Sequence, residues 1–203
     1  TPTPVQVTPT PVRITPTPVR VTPTPTTPPG GGIKVQFYNQ STAATTNQLY
    51  LNFRVVNTGT SAIVLSNVKM RYYYTVDGAK SQNFYCDWSS VGSSNLTSTF
   101  VSMAGATSDA DTYVEIGFTS GAGNLAVGGS ATIQGRVAKS DWSSFTQTND
   151  YSFNSTATTF VDWTKVTGYI SGALAWGVEP GGTNPATPTP VVATPTPVVV
   201  TPT

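Results

Sequence analysis

The sequence predicts an all-β fold: a nine-stranded antiparallel β-sandwich with jelly-roll topology. Three observations support this prediction. Apolar and polar residues alternate with a period of two in many short segments from Ile33 onward. Ser, Thr and Gly are abundant, and no long stretch shows the 3.6-residue period of a helix. Turn signals such as Asp77-Gly78 and Gly128-Gly129 separate the segments, as is typical of sandwiches and barrels.

The predicted strands can be placed in chain order. In the segment QLYLNFRVV, the odd-numbered residues from Leu49 to Val55 point inward and the even-numbered residues point outward. In VKMRYYYT, the even-numbered residues from Val68 to Tyr74 point inward, which leaves Arg71 and Tyr73 on the outward face. The strand candidates are the segments 33–38, 48–56, 68–75, 83–88, 98–103, 112–118, 130–138 and 167–175.

Proline divides the chain into three parts. All 17 prolines lie at or before Pro29, or at or after Pro180. The unit TPTPVxx repeats with a period of seven in both flanking regions, and proline excludes a coiled coil there. Such segments are typical of extended, semi-rigid linkers, whose threonines are candidates for O-glycosylation. We therefore predict linkers at 1–29 and 183–203 around a single domain at 30–182, which indicates an internal module with other domains on both sides.

Composition excludes several functions. The net charge of +1, with 9% charged residues, argues against a nucleic-acid-binding protein. No apolar run is long enough to span a membrane, and no signal peptide is visible, so we expect any export signal to lie outside this sequence. The lone Cys86 cannot form an internal disulfide.

Catalytic residues are scarce. The chain has no His, which excludes Ser/His and Cys/His nucleophilic pairs. Asp109 and Asp111 are the best candidate for a glycosidase carboxylate pair, but they lie in the polar segment ATSDADT and fit solvated loop residues better. The sequence therefore predicts a protein that is not an enzyme.

Oxygen-bearing side chains in two segments suggest calcium, which prefers carboxylate, amide and hydroxyl oxygen ligands. TVDG supplies Thr75 and Asp77 at a hairpin turn, and TQTND supplies Thr146, Asn149 and Asp150. Taken alone, Asp77-Gly78 fits an ordinary turn better, and TQTND fits a polar loop. The sequence by itself does not bring the two together.

Aromatic and polar side chains in a third region suggest a sugar-binding surface. Gln134 and Arg136 share the outward face of their predicted strand, and Trp142 and Trp88 each enter a polar loop. Aromatic rings can cover the flat faces of sugars, while amide, guanidinium and carboxylate groups bond the hydroxyls. A partly buried structural role for Trp142 stays open at this point. The other two tryptophans, in FVDW and ALAWG, have apolar neighbours and are predicted to belong to the core.

Several motifs together identify a resemblance. The segments RYYYTVDG, YCDW, ADTYVEIGF, IQGRVAKSDWSSFTQTNDYSF and WGVEPGG resemble the family 3 carbohydrate-binding modules, which bind cellulose in bacterial multidomain cellulases. The resemblance extends over Ile33 to Gly182. It implies a nine-stranded jelly-roll sandwich with a structural calcium ion and no catalysis.

The resemblance also implies roles for particular residues. The implied calcium ligands are Thr75, Asp77, Thr146, Asn149 and Asp150. The implied cellulose-binding strip consists of Asp87, Trp88, Arg136 and Trp142, and the implied polar anchors are Ser41, Asn47 and Gln134. Arg and Asp in such a strip would pair into a planar unit that lies flat against a glucan chain.

One loop departs from the family pattern. The segment WSSVGSSNLTSTF is shorter than in the strongest binders of crystalline cellulose, and the Tyr they carry there has no counterpart. Trp88 would compensate in part, so preference for crystalline over amorphous cellulose is left open.

The outward face of the other sheet offers a second site. A shallow groove is implied there, proposed in the family to hold a peptide such as a linker. An ordinary polar sheet face is the alternative. The predicted groove residues are Arg71, Tyr73, Tyr113, Glu115 and Tyr151.

The predicted function is non-catalytic binding of cellulose that keeps covalently linked catalytic domains on their substrate. We expect a secreted, monomeric module without nucleic-acid or membrane partners. Two alternatives stay open: a module that feeds a glucan chain to an adjacent catalytic domain, and a scaffold domain that binds peptide. The retained Trp142 and the long Pro/Thr segments favour the cellulose binder.

Overall fold

The computed structural model describes residues 32–182. The predicted linkers at 1–29 and 183–203 lie outside these residues. Within them, the nine strands of four or more residues are β1 (Ile33–Tyr38), β3 (Leu49–Asn57), β5 (Val68–Tyr74), β6 (Gln82–Ser89), β7 (Leu96–Thr107), β8 (Ala110–Phe118), β10 (Ser130–Lys139), β13 (Thr167–Ile170) and β14 (Ala173–Trp176). Five two-residue strands are β2 (Thr45–Thr46), β4 (Ile63–Val64), β9 (Asn124–Leu125), β11 (Phe145–Thr146) and β12 (Val161–Asp162).

Two five-stranded antiparallel sheets form a sandwich. The first sheet has the order β12-β1-β3-β10-β6, and the second sheet has the order β14-β13-β5-β8-β7. Two short ribbons, β11-β2 and β4-β9, complete the strand pairing. The chain crosses between the sheets after β3, β5, β6, β8 and β12, as the strands of a jelly roll do. The predicted all-β sandwich is confirmed.

The core lies between the sheets and follows the predicted alternation. Inward residues of β1 and β3 are almost fully buried, and Phe37 packs its ring 5.0 Å from Phe53 and 5.3 Å from Tyr72 of the second sheet. Trp176 is buried and Trp163 packs against the core, as predicted, and both indole N–H groups donate to backbone carbonyls. The described part of the chain has no helix with the length and apolar character needed to cross a membrane.

Candidate functional site

A β-bulge in β6 shapes the outer face of the first sheet. Trp88 pairs with Gln134 of β10, whereas Cys86 pairs with Gly135, so Asp87 is the extra residue. The bulge turns two consecutive side chains, Asp87 and Trp88, to the outer face. Gly135 permits this close approach, because a Cβ there would lie 2.6 Å from the Phe84 ring.

The Arg136 guanidinium is held on this face by two partners. Its Nε donates to Oδ2 of Asp87 at 2.8 Å, and its Nη2 donates to Oδ1 at 2.8 Å. Its Nη1 donates to Oε1 of Gln48 at 2.7 Å. The hydrogen bonds to Asp87 raise the pKa of Arg136 above its ordinary value. The fork geometry fixes the plane of the pair, as predicted for the strip residues.

Trp142 projects from a tight turn after β10. Its backbone has a φ of 59°, which is rare for a bulky residue, and its N–H donates to the carbonyl of Lys139 at 3.0 Å. Asp141 closes the turn by accepting hydrogen bonds from the Ser143 backbone and hydroxyl. The Trp142 side chain is 51% exposed. Local hydrogen bonding thus holds a strained backbone that presents the indole to solvent.

Tyr85 belongs to the same face and was missed by the sequence analysis. Its ring lies 6.5 Å from that of Trp142 with only 12° between the planes, and the guanidinium of Arg136 lies 5.7 Å from its centre. Alternation in β6 carried the signal, because Tyr85 stands two residues before Asp87. We call Tyr85, Asp87, Trp88, Arg136 and Trp142 the aromatic strip.

The predicted polar anchors are exposed or partly exposed, and Gln134 and Asn47 adjoin residues that contact this strip. Gln134 is partly exposed and is the cross-strand partner of Trp88. Asn47 is exposed and immediately precedes Gln48, the second partner of Arg136. Ser41 is partly exposed in the loop after β1, and its carbonyl accepts a hydrogen bond from Gln147 at 3.4 Å. Gln48 is a positioning residue that the sequence analysis did not identify.

The two oxygen-rich segments meet in space. Oδ1 of Asp150 accepts hydrogen bonds from the backbone N–H of Thr75 at 2.8 Å and from its hydroxyl at 3.0 Å. Asp77 accepts a hydrogen bond from the backbone N–H of Thr146. Asn149 stands beside Asp150 on the exposed side of a 3-10 turn. Hydrogen bonds therefore join Thr75 to Asp150 and Thr146 to Asp77, and Asn149 adjoins Asp150 in the chain.

Asp150 is the most unusual group of this cluster. It is only 6% exposed, and its Oδ2 is buried without a hydrogen-bond partner. Burial raises the pKa of the Asp150 carboxyl to about 8. A buried carboxylate with an unpaired oxygen is costly unless a cation compensates it. No group of three or more His, Cys, Asp or Glu suited to a metal occurs among residues 32–182, so this set depends on two carboxylates with hydroxyl and amide oxygens.

Lys139 was also missed, and its buried side chain connects the loop at Asp77 to the loop at Ser144. It is 1% exposed, and its ammonium donates to the carbonyls of Asp77 at 2.9 Å and Ser144 at 2.8 Å. The ammonium also lies 4.5 Å from the ring centre of Phe145. A lysine at the end of a strand gives no sequence signal for burial, because its environment depends on which loops fold over it.

Substituting Lys139 with Met is expected to lower the free energy of unfolding by about 2–4 kcal/mol, because two buried carbonyls lose their donor. Urea unfolding of the wild type and the variant measures this difference. Substituting the exposed Lys80 with Met is the matched control, since its ion pair with Asp141 is at the surface and contributes little. Equal stability of the Lys139 variant and the wild type would contradict the assigned role.

The predicted groove residues cluster on the outer face of the second sheet. The Arg71 guanidinium lies between the rings of Tyr113 and Tyr169, at 4.4 and 4.2 Å, and its Nε donates to Glu115 at 2.9 Å. Burial alone would raise the pKa of Glu115, but hydrogen bonds from Lys69 and Arg71 hold it below its ordinary value.

The outward assignment of Tyr73 needs a correction. Its side chain does leave the outer face of β5, but it is only 2% exposed. Tyr151 packs against its ring at 6.0 Å, and its hydroxyl bonds those of Thr167 and Tyr169. Strand parity predicted the face correctly but could not predict what covers it. Tyr73 therefore supports the groove from beneath, and peptide binding there stays a prediction.

Comparison with known proteins gives a consistent result. A family model described as a cellulose binding domain matches residues 34–177. Exoglucanase-2 of Thermoclostridium stercorarium is 56% identical over 150 residues, covering 74% of this chain and 16% of that protein. Cellulosomal-scaffolding protein A of Acetivibrio thermocellus is 51% identical over 174 residues, covering 79% of this chain and 9% of that protein. The chain thus spans only a small part of either relative.

A solved structure matches over nearly its whole length. It is the CBM3b of the major scaffoldin subunit ScaA from Acetivibrio cellulolyticus, with 55% sequence identity and a TM-score of 0.72. The match covers 73% of this chain and 97% of that chain.

Proposed function

The chain belongs to the family 3 carbohydrate-binding modules, and from that premise we propose that the aromatic strip is the surface on which it holds cellulose. The module is a non-catalytic cellulose-binding domain. The observation that carries the proposal is the flat Arg136–Asp87 pair set among the exposed rings of Tyr85, Trp88 and Trp142. These planar groups can stack on the faces of glucose rings, while Gln134, Asn47 and Ser41 bond hydroxyls beside them.

The strip supports binding rather than the feeding of a chain to a neighbouring enzyme. Hydrogen bonds hold the Arg136 side chain and a tight turn holds the Trp142 backbone in place without any ligand. A pre-ordered surface loses little conformational entropy on binding. A solid, planar ligand such as a cellulose crystal suits such a surface.

In the larger protein, we propose that the module keeps linked catalytic domains on cellulose through the Pro/Thr segments at 1–29 and 183–203. Tethering raises the local enzyme concentration at the substrate without any new catalytic contact. We further propose that the protein is secreted, since cellulose is an extracellular polymer, and that the module acts as a monomer.

We also propose a structural calcium ion at Thr75, Asp77, Thr146, Asn149 and Asp150. The unpaired Oδ2 of buried Asp150 supports it, and the set offers only hard oxygen donors, as calcium prefers. When bound, the ion would compensate the two carboxylates. The protein's own contribution is to orient them, through Thr75 toward Asp150 and through the Thr146 backbone toward Asp77.

Binding isotherms on microcrystalline cellulose test the proposed function. We expect saturable depletion of the protein from solution and no release of reducing sugar. Starch granules of equal surface area are the control. Absence of depletion by cellulose, or equal depletion by starch, would reject the proposal.

A further inference from the structure

The second sheet ends in a long edge strand that lacks the usual protection against further pairing. Within residues 32–182, β7 has 12 residues and is bonded on one side only, to β8. Neither proline nor a charged residue occurs from Trp88 to Ser108. Natural edge strands are commonly protected by charge, proline, a bulge or short length. The other three edges of the sandwich have such protection, because β12 and β14 are short and β6 carries Asp87 in its bulge.

The regular part of β7 directs alternate backbone groups to the open edge. Its pairing with β8 is regular from Leu96 to Ser102, and the N–H of Thr119 continues this register by donating to the carbonyl of Asn95 at 2.9 Å. Backbone groups alternate sides along a strand, so the odd-numbered residues of this part bond to β8. The even-numbered residues therefore direct their N–H and C=O groups to the open edge. These are Leu96, Ser98, Phe100 and Ser102.

The side chains of this edge are complementary to a second copy of the same edge. When two copies run antiparallel with their Ser98 residues opposite each other, Leu96 of each copy lies opposite Phe100 of the other. Thr97 of each copy then lies opposite Thr99 of the other. Thr–Thr pairs and apolar pairs with an aromatic ring stabilise antiparallel sheets, and no charge opposes another here. Leu96 and Phe100 are partly exposed, and the other three residues are exposed, so all five are accessible.

Antiparallel pairing also determines how the two binding faces are directed. Residues directly opposite each other share a face, so both copies turn the inner face of the second sheet the same way. The first sheet therefore lies on the same side of the joined sheet in both copies, and the two aromatic strips are directed alike. The arrangement is two-fold symmetric and closed. One flat crystal face can thus meet both strips.

We propose that two modules adsorbed on cellulose pair through the Leu96–Ser102 edge of β7, so that adsorption is cooperative. The inference rests on the proposed function, because the strip must first hold each module on the surface. One pair of seven-residue strands buries less than the roughly 1,200 Å² of a stable interface, so the module stays a monomer in dilute solution. Adsorption concentrates the modules and turns their strips the same way, which makes the weak contact effective.

Adsorption isotherms on microcrystalline cellulose, from sparse to dense coverage, test the inference. Ser98→Lys places two like charges opposite each other at the centre of the contact. At dense coverage we expect it to bind about threefold to tenfold more weakly than the wild type, as for loss of a few cross-strand pairs. At sparse coverage the two should bind equally. Ser108→Lys adds the same charge in the exposed turn after β7 and is the matched control, which should follow the wild type throughout.

The isotherms separate failure of the pairing from failure of the proposed function. Identical curves for Ser98→Lys and the wild type would leave the edge to another occupant and overturn the pairing of two copies. An equal loss at sparse and dense coverage would overturn it too, because modules that are far apart do not touch. Absence of adsorption by the wild type would reject the proposed function, and the pairing with it. Thermal unfolding of each variant establishes that it is folded.

Cross-linking gives an independent reading of the contact. Opposite residues of a hydrogen-bonded antiparallel pair have Cα atoms about 5.5 Å apart, which a disulfide can span. In a chain that carries Cys86→Ser, we expect Ser98→Cys to give a disulfide-linked dimer when the cellulose-bound protein is oxidised. Ser108→Cys in the same background should stay monomeric. Absence of the dimer from adsorbed Ser98→Cys would overturn the pairing.

Discussion

Substituting Trp142 with Ala is expected to weaken binding to microcrystalline cellulose by between tenfold and a hundredfold. One face of the indole, on the order of 100 Å², would be covered by a sugar ring, and burial of that area is worth about 2.5 kcal/mol. A free-energy loss of that size corresponds to this range in Kd. The measurement is a depletion isotherm at constant ionic strength.

The backbone at Trp142 offers an informative second variant. Because its φ of 59° lies in the left-handed region, glycine should relieve strain of about 1–2 kcal/mol. Trp142→Gly is therefore expected to bind as poorly as Trp142→Ala while being at least as stable as the wild type. This pair separates loss of contact from loss of folding. Wild-type affinity in both folded variants would refute the assignment of Trp142 to the cellulose-binding face.

Removing calcium is expected to lower the melting temperature by about 10 °C. A ligand that binds only the native state stabilises it by about 4 kcal/mol when present at a thousand times its Kd. For a domain of this size, each kcal/mol shifts the melting temperature by about 2–4 °C. Scanning calorimetry in excess calcium and in excess chelator measures the difference.

The Asp150→Asn variant tests whether the effect of chelator on the melting temperature arises at this site. The amide can still accept the hydrogen bonds from Thr75, but it removes the buried charge that the ion would compensate. Its melting temperature should therefore be insensitive to chelator. Asp162→Asn, at the surface beside Lys34, is the control and should keep the wild-type response. An identical melting temperature of the wild type with and without chelator would argue against the ion.

The local residue pattern was sufficient to predict the sheets, but not all of the contacts that their side chains make. Period-two alternation identified most of the long strands, because burial on one side of a strand leaves a direct trace in residue type. The predicted strand 167–175 was wrong: it divides into β13 and β14, which pair as a hairpin across a turn at Ser171 and Gly172. The proximity of Asp150 to Thr75 could not be derived in this way, since the two are 75 positions apart. That pairing came from the family resemblance, which carries three-dimensional information that a single sequence lacks.

The residues missed at the site have two different causes. Alternation in β6 already indicated that Tyr85 points outward, whereas Gln48 and Lys139 gain their roles from strand register and loop packing, which composition does not encode. Tyr73 is a further example: the sequence predicted its outward direction but not its burial beneath Tyr151. Alternation determines the direction of a side chain, and only tertiary structure determines its neighbours.

The bulge at Asp87 sets the distance between two aromatic rings on the binding face. Without the extra residue, Tyr85 and Trp88 would point to opposite sides of β6, since they are three positions apart. With it, both rings lie on one face, and because Tyr85 pairs with Arg136 and Trp88 pairs with Gln134, they stand two β10 residues apart, about 7 Å along the strand. The register of the main chain, and not only the chemistry of the side chains, therefore sets the distance between the two rings that a sugar polymer would meet.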